Sequence, residues 1–251
     1  MTGFKTFAAL AGAFVLSMAS AFAADLTLYT YHSEPPFVTG DGRGLTYELA
    51  DYLTKKSNGA LSVKVSVMSR AQVDEAVASA DFRDAVPWVG PTRFRDKDKT
   101  TYSVSDAIFP DENLVISTLA RKVEYTGPES LKGMTFGGVL ERNYAGIDEL
   151  VKAGQIDRQD SQSEEVNLKK IAAGRIDATL LPGSVVRFLA PQLGIEGRFH
   201  ASATPQGSYT RHLLVAKRNP KLAKQVNAVI AEMKSDPDWQ EVLKKYHVKA
   251  N

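Results

Sequence analysis

The sequence predicts an α/β protein made of two successive units, each a mainly parallel sheet with helices packed on it. Three observations carry this. Strand-like and helix-like stretches alternate β-α-β-α-β over residues 26–89, and a second such run follows over 114–189. The 251 residues are 43% hydrophobic and 24% charged, which is a globular rather than a disordered balance and enough chain for one large core or two smaller ones. The chain then returns to one more strand and two amphipathic helices over residues 213–246.

In order, residues 26–30 alternate apolar and polar side chains as a half-buried strand does. A Pro35-Pro36 turn and a glycine cluster around Gly40, Gly42 and Gly44 precede Leu45, Leu49 and Leu53, which recur at helical spacing. Residues 61–67 alternate again, 71–78 read as a short helix, and 85–89 as a short buried strand interrupted by Pro87. The second unit has a strand at 114–119, a turn and strand over 131–139, and a short helix over 147–153 ended by Gly154. Ser161 and Glu164 have capping-box spacing for a helix running through Ala173. A strand at 176–181 and a helix at 184–189 complete it. Asn219-Pro220 and Asp236-Pro237 each pair a capping residue with proline at the first helical position. The stripes behind them, including Leu222, Val226, Ile230 and Met233, then Trp239, Leu243 and Tyr246, read as core.

Several function classes are excluded. A net charge of +2 gives no electrostatic case for nucleic acid. The absence of cysteine removes disulfides, thiolate nucleophiles, cysteine-ligated metals and a lipidation anchor together. No cofactor is expected. Residues 1–23 read as a cleavable signal peptide, with Lys5 ahead of an apolar run and a small-x-small site at Ala21-Phe22-Ala23. Lys5 is the only charge in that segment, so cleavage lowers the net charge from +2 to +1. A soluble, monomeric mature protein in the bacterial periplasm is the expectation.

Six short features occur in a shared order: the PPF turn ending at Phe37, the Gly44-Leu45 helix entry, the Leu131-Lys132-Gly133 turn, the Gly174-Arg175-Ile176-Asp177-Ala178 run, the Asn219-Pro220 strand exit, and the short Trp239 helix. In that order they resemble the periplasmic solute-binding proteins of ABC importers, polar amino-acid-binding family, over essentially the whole mature chain. The resemblance implies a type II periplasmic binding fold: two α/β lobes joined by two crossover hinge segments, with lobe 1 at 24–113 and 208–251 and lobe 2 at 114–207. The crossings are expected near 111–117 and 202–211. A ligand would sit in the cleft, beyond the carboxyl ends of the strands, and be buried by lobe closure.

The resemblance also proposes site residues. The Thr92-Arg93-Phe94-Arg95 run resembles the family's carboxylate-gripping Thr-x-x-Arg. It puts the role on Arg95, with Arg93 as competitor because the spacing is one residue short; a guanidinium suits a carboxylate because it donates two parallel hydrogen bonds. Trp88 is either a core aromatic or a flat ligand wall. On the second lobe, Arg142, Asn143 and Tyr144 occupy the family's Gly-Thr turn, with Asn143 as an expected N-cap leaving free N–H groups for an anion. The family's usual ammonium-binding Asp falls on Pro182, which cannot balance a charge. In the front turn, Tyr31 stands where that family carries an acid and Glu34 where it carries a ring, with Phe37 closing the turn at the cleft. Either Glu34 replaces the lost ammonium partner or it is a turn residue. His32 is a further candidate for a polar contact.

The function expected is capture of a small carboxylate-bearing, amino-acid-like solute for an ABC importer membrane permease. A periplasmic sensor subunit of the same fold and a cyclohexadienyl-dehydratase-like enzyme are the alternatives. No G-x-S-x-G elbow, phosphate loop or metal-spaced His pair supports catalysis.

Overall fold

The computed structural model describes residues 23–90, 94, 96 and 101–250. The expected signal peptide (apart from Ala23), Thr92, Arg93 and Arg95 lie outside the described residues.

The first unit is built on β1 (Ala24–Thr30), which pairs in parallel with β2 (Leu61–Val67) along its full length and with β3 (Ala85–Val89) at Leu28↔Ala85. Helices α1 (Leu45–Lys56) and α2 (Arg70–Ala78) connect these strands. Leu45, Leu49 and Leu53, one helical turn apart, are all fully buried, as their period requires. Pro87 does not interrupt β3: all five of its residues are buried, and Pro87 sits opposite Leu213. The short strand β4 (Tyr102–Val104), which periodicity did not reveal, follows.

Strand β5 (Phe109–Ser117) leads into the second unit. There β6 (Thr135–Val139) is parallel to β7 (Asp157–Ser161) and β8 (Ala178–Pro182), linked by α3 (Ile147–Lys152) and α4 (Glu164–Ala172). Helix α5 (Gly183–Gln192) and the two-residue β9 (His200–Ala201) precede β10 (Gly207–Ala216), then α6 (Pro220–Met233) and α7 (Pro237–Lys245). Asn219 and Asp236 do cap these last two helices, through Leu222 N–H at 3.2 Å and Asp238 N–H at 2.9 Å.

Two helix starts differ from expectation. Ser163, not Ser161, caps α4, because Ser161 is the paired last residue of β7 and its hydroxyl accepts from Lys170. Asn143 does not cap α3: the helix begins at Ile147 behind the left-handed Gly146.

The strand order is β2-β1-β3-β10-β5-β8-β6-β7, with β4 on β10 and β9 on β5. Within each unit the strands are parallel; β5 and β10 run antiparallel to their neighbours and join the units. Strand β10 pairs Gly207–Arg211 with β5 and His212–Val215 with β3, with a register shift between His212 and Leu213. One strand therefore belongs to both halves of the curled sheet. This is the two-lobed architecture with two crossover segments. Among the described residues no helix is long and apolar enough to cross a membrane.

Candidate functional site

A cavity of about 640 Å³ opens between the two units, beyond the carboxyl ends of β1, β3, β6 and β8. Its first wall grows from the turn over residues 31–37. That turn is closed by Phe37 and Val38 N–H groups donating to the Glu34 carbonyl at 3.0 and 3.2 Å. Its last carbonyls cap α1: Leu45 N–H donates to Pro36 at 2.8 Å and Thr46 N–H to Phe37 at 3.0 Å, satisfying donors that a helix start leaves orphaned. Gly44 makes this docking possible. Its φ is 122°, and a Cβ there would lie 2.5 Å from the Phe37 carbonyl oxygen.

Thr46, fully buried, accepts the indole N–H of Trp88 at 2.9 Å. Trp88 ends on a left-handed φ of 66°, which is costly for a bulky residue and is held by packing. Its ring lies 5.5 Å from Phe37 and 5.6 Å from Phe109. His32 stacks between Tyr31 at 4.5 Å and Phe37 at 5.0 Å.

Arg211 also lines the cavity, although it is only 4% exposed. Its Nε and Nη2 donate to the Asp111 carboxylate at 3.1 and 2.9 Å, Nη2 also to the Tyr209 hydroxyl at 3.1 Å, and Nη1 to the Trp88 carbonyl at 2.9 Å and to His32 Nε2 at 3.4 Å. A guanidinium has five donors, and all five are engaged. Arg211 is therefore a strut between β10, β5 and the cleft wall, with nothing left for a ligand. Asp111 is 1% exposed and also accepts from the Ser184 amide and hydroxyl at the start of α5, where a carboxylate is favoured.

The strut also sets the proton on His32. Arginine can only donate, so Nε2 accepts and the proton sits on Nδ1, facing Glu34 Oε1 at 3.2 Å. The imidazole is neutral. Burial, with the Arg211 and Arg142 charges, holds its pKa below the usual value against the pull of Glu34. Burial pushes the Glu34 carboxyl up, but the His32 hydrogen bond, its own backbone N–H and Arg142 outweigh that and keep it below the usual carboxylate range.

The second wall is the turn over residues 139–143, after β6. Glu141 takes a left-handed φ of 62°, which turns the chain back over the cavity. Arg142 pairs with Glu164 in the first turn of α4. Glu164 is buried, and its carboxyl is pushed up by that burial and by the Glu34 charge, only partly offset by Arg142. Burial pulls the Arg142 pKa down, but Glu164, Tyr144 and Glu34 hold it above its usual range.

The structure brings Tyr31, Glu34, Trp88, Arg142 and Asn143 to the cavity wall. Two expected residues lie behind it. Phe37 is fully buried under His32 and Trp88, and the Arg211 guanidinium lies 5.0 Å from its ring centre. Tyr144 is buried in the second core, where its hydroxyl accepts from Val139 N–H at 2.9 Å and its ring meets Phe136 edge-on. Pro182 lines the cavity, as the missing ammonium acid required. Sequence reasoning missed Arg70, Asn113, Tyr209 and Arg211 on the wall, and Asp111 and Glu164 behind it. A faint signal existed: Asp111 and Arg211 were the bounds of the expected crossings, and each is a charge set in an otherwise strand-like run.

Fold and cleft together define a two-lobed solute-binding architecture. The sequence profile of the bacterial extracellular solute-binding proteins, family 3, matches residues 26–249, and the chain belongs to that family. Solved structures similar to it include an ancestral arginine-binding protein bound to arginine (19% identity, TM-score 0.67, covering 90% of this chain and 99% of that one). A P235GK mutant of ArgBP from T. maritima is similar at 17% identity and TM-score 0.64, covering 89% and 95%. So is the ancestral amino acid-binding protein AncCDT-1, a precursor of cyclohexadienyl dehydratase, at 16% identity and TM-score 0.64, covering 88% and 95%. At these identities the likeness is one of fold. No curated protein sequence matches the chain.

Proposed function

We propose that this protein captures a small, carboxylate-bearing, amino-acid-like solute between its lobes, without bond chemistry. One observation carries the reading: Glu34 is a carboxylate with a 13% exposed side chain on the cavity wall, kept ionised, whose hydrogen-bond partner is a neutral imidazole. The Arg142 charge that helps depress its pKa is already bonded to Glu164. A ligand ammonium would complete the counter-charge that a buried carboxylate needs. The neighbours that bind arginine fit this chemistry.

The same observation removes Glu34, though not Glu141, as the acid of the dehydratase alternative. An acid catalyst needs a carboxyl that carries its proton at working pH. Glu34 is shifted the wrong way, and Glu164, shifted the right way, is buried behind Arg142. The carboxylate anchor is proposed at Arg95, with Arg93 and Thr92 beside it, on the family resemblance alone. Lobe limits of 24–113 with 208–251, and 114–207, are proposed on the pairing of β5 with β10. Delivery to an ABC importer permease by a monomer in the periplasm, after signal-peptide cleavage, completes the proposal.

Titration calorimetry of the mature protein against amino acids, polyamines and plain organic acids tests it. Glu34→Gln should weaken the best amino-acid ligand by about 10- to 100-fold, the range of a charged hydrogen bond. Unchanged affinity removes the ammonium role. Binding of organic acids with no response to any amino acid overturns the reading.

A further inference from the structure

We infer that Arg70 grips a carboxylate of the bound solute and so helps decide which solutes the cleft accepts. This rests on the amino-acid-like reading of the same cavity. Arg70 is the first residue of α2, directly after its cap Ser69, and that first turn contains no acidic residue. A cation there opposes the helix dipole, so the position does nothing for the helix. Arg70 lies on the cavity wall. Among the described residues no carboxylate pairs with it; its one recorded contact is with Tyr31, whose ring centre lies 4.9 Å from the guanidinium carbon. A ring offers no strong acceptor, and among the described residues no hydrogen bond engages the Arg70 guanidinium, whose N–H donors suit a two-pronged bond with a carboxylate.

Among the described residues, the other cationic side chains on the wall are committed. Arg211 has spent every donor inside the protein, and Arg142 is paired with Glu164. Among the described residues lining the cavity, Arg70 is thus the cation left without an opposite partner, and Glu34 is the half-buried acid left without one. Glu141 also lines the cavity, and it and Arg70 are both exposed to water. Arg70, Tyr31 and His32 follow one another in contact, ending beside Glu34. The guanidinium is therefore placed by the rings that also place the carboxylate. A zwitterionic solute matches that pair.

Arg70→Gln in the mature protein tests this, with amino acids, their decarboxylated amines and succinate as calorimetric probes. The tightest carboxylate-bearing probe should bind about 10- to 100-fold more weakly, the matched amine should change less than about twofold, and Arg70→Lys should restore only part of the loss. The thermal midpoint without ligand should not fall, because the helix start loses an unfavourable charge. Equal losses for acid and amine, or none for either, overturn the role of Arg70 while leaving the functional reading intact. If no carboxylate-bearing probe binds the wild-type protein, both fall.

Discussion

The two walls of the cleft are built on different principles. The first is dry and locked: Trp88 is 1% and Phe37 0% exposed, and Arg211 ties the wall to both crossover strands with no donor to spare. The second is a turn after β6 with exposed Leu140, Glu141 and Asn143, whose main charge, Arg142, has a 35% exposed side chain. The titrations oppose each other too, with His32 and Glu34 shifted down on the first wall and Glu164 shifted up behind the second. A locked wall is pre-organised and costs little to order when a ligand arrives, while an exposed ionic turn can adjust to it.

The largest expected effect tests the lock. Arg211→Met leaves Asp111 buried without its main counter-charge and should cost about 3–5 kcal/mol in urea unfolding. Arg142→Met should cost only about 1–2 kcal/mol, because Arg142 is a third exposed and water screens its pairing with Glu164. Equal costs would break the contrast. Next, Gly44→Ala forces a side chain onto the Phe37 carbonyl at a φ of 122° and should cost about 1–3 kcal/mol in the same assay. A neutral result would mean that the turn over 31–37 is not fixed by α1.

The smallest effect is a pH slope. The His32 pKa is lowered on folding, so its contribution to stability is present above about pH 6.5 and is lost as pH falls through its folded value. Glu164 is raised, so its contribution is present below about pH 4.5 and is lost as pH rises. Each slope is at most about 1.4 kcal/mol per pH unit. His32→Asn should flatten the rise of thermal midpoint with pH, and Glu164→Gln should steepen it. The opposite pair of responses would overturn the assigned directions.

Much of the fold was legible because it is local. Leu45, Leu49 and Leu53 announce a buried helix face by spacing alone, and Asn219-Pro220 and Asp236-Pro237 mark their helix starts by backbone chemistry. Where a local signal had a rival close by, the tertiary structure chose. Ser161 has the right spacing to cap α4, but its backbone is already paired with β6, so Ser163 caps instead. Asn143 could begin a helix, yet the chain turns back over the cavity at Glu141 first.

The site divides the same way. Glu34 stood out in the sequence as an acid in an aromatic turn, and Pro182 as an absent acid. Phe37 and Tyr144 were legible as rings but not by direction, since only packing decides whether a ring faces a cleft or the core behind it. Arg211 and Asp111 lie 100 residues apart and carry no shared pattern. By itself the sequence determined most of the segments that become strands and helices, though not β4, β7 or β9, together with the family and an unusual charge in the front turn. Those follow from short-range sterics, hydrogen bonding and periodicity. Only the tertiary structure decided which arginine is spent inside the protein and which lines the cavity without a partnering acid among the described residues. Charge pairing in a buried site depends on distance in space, and the crossing of β5 with β10 sets that distance.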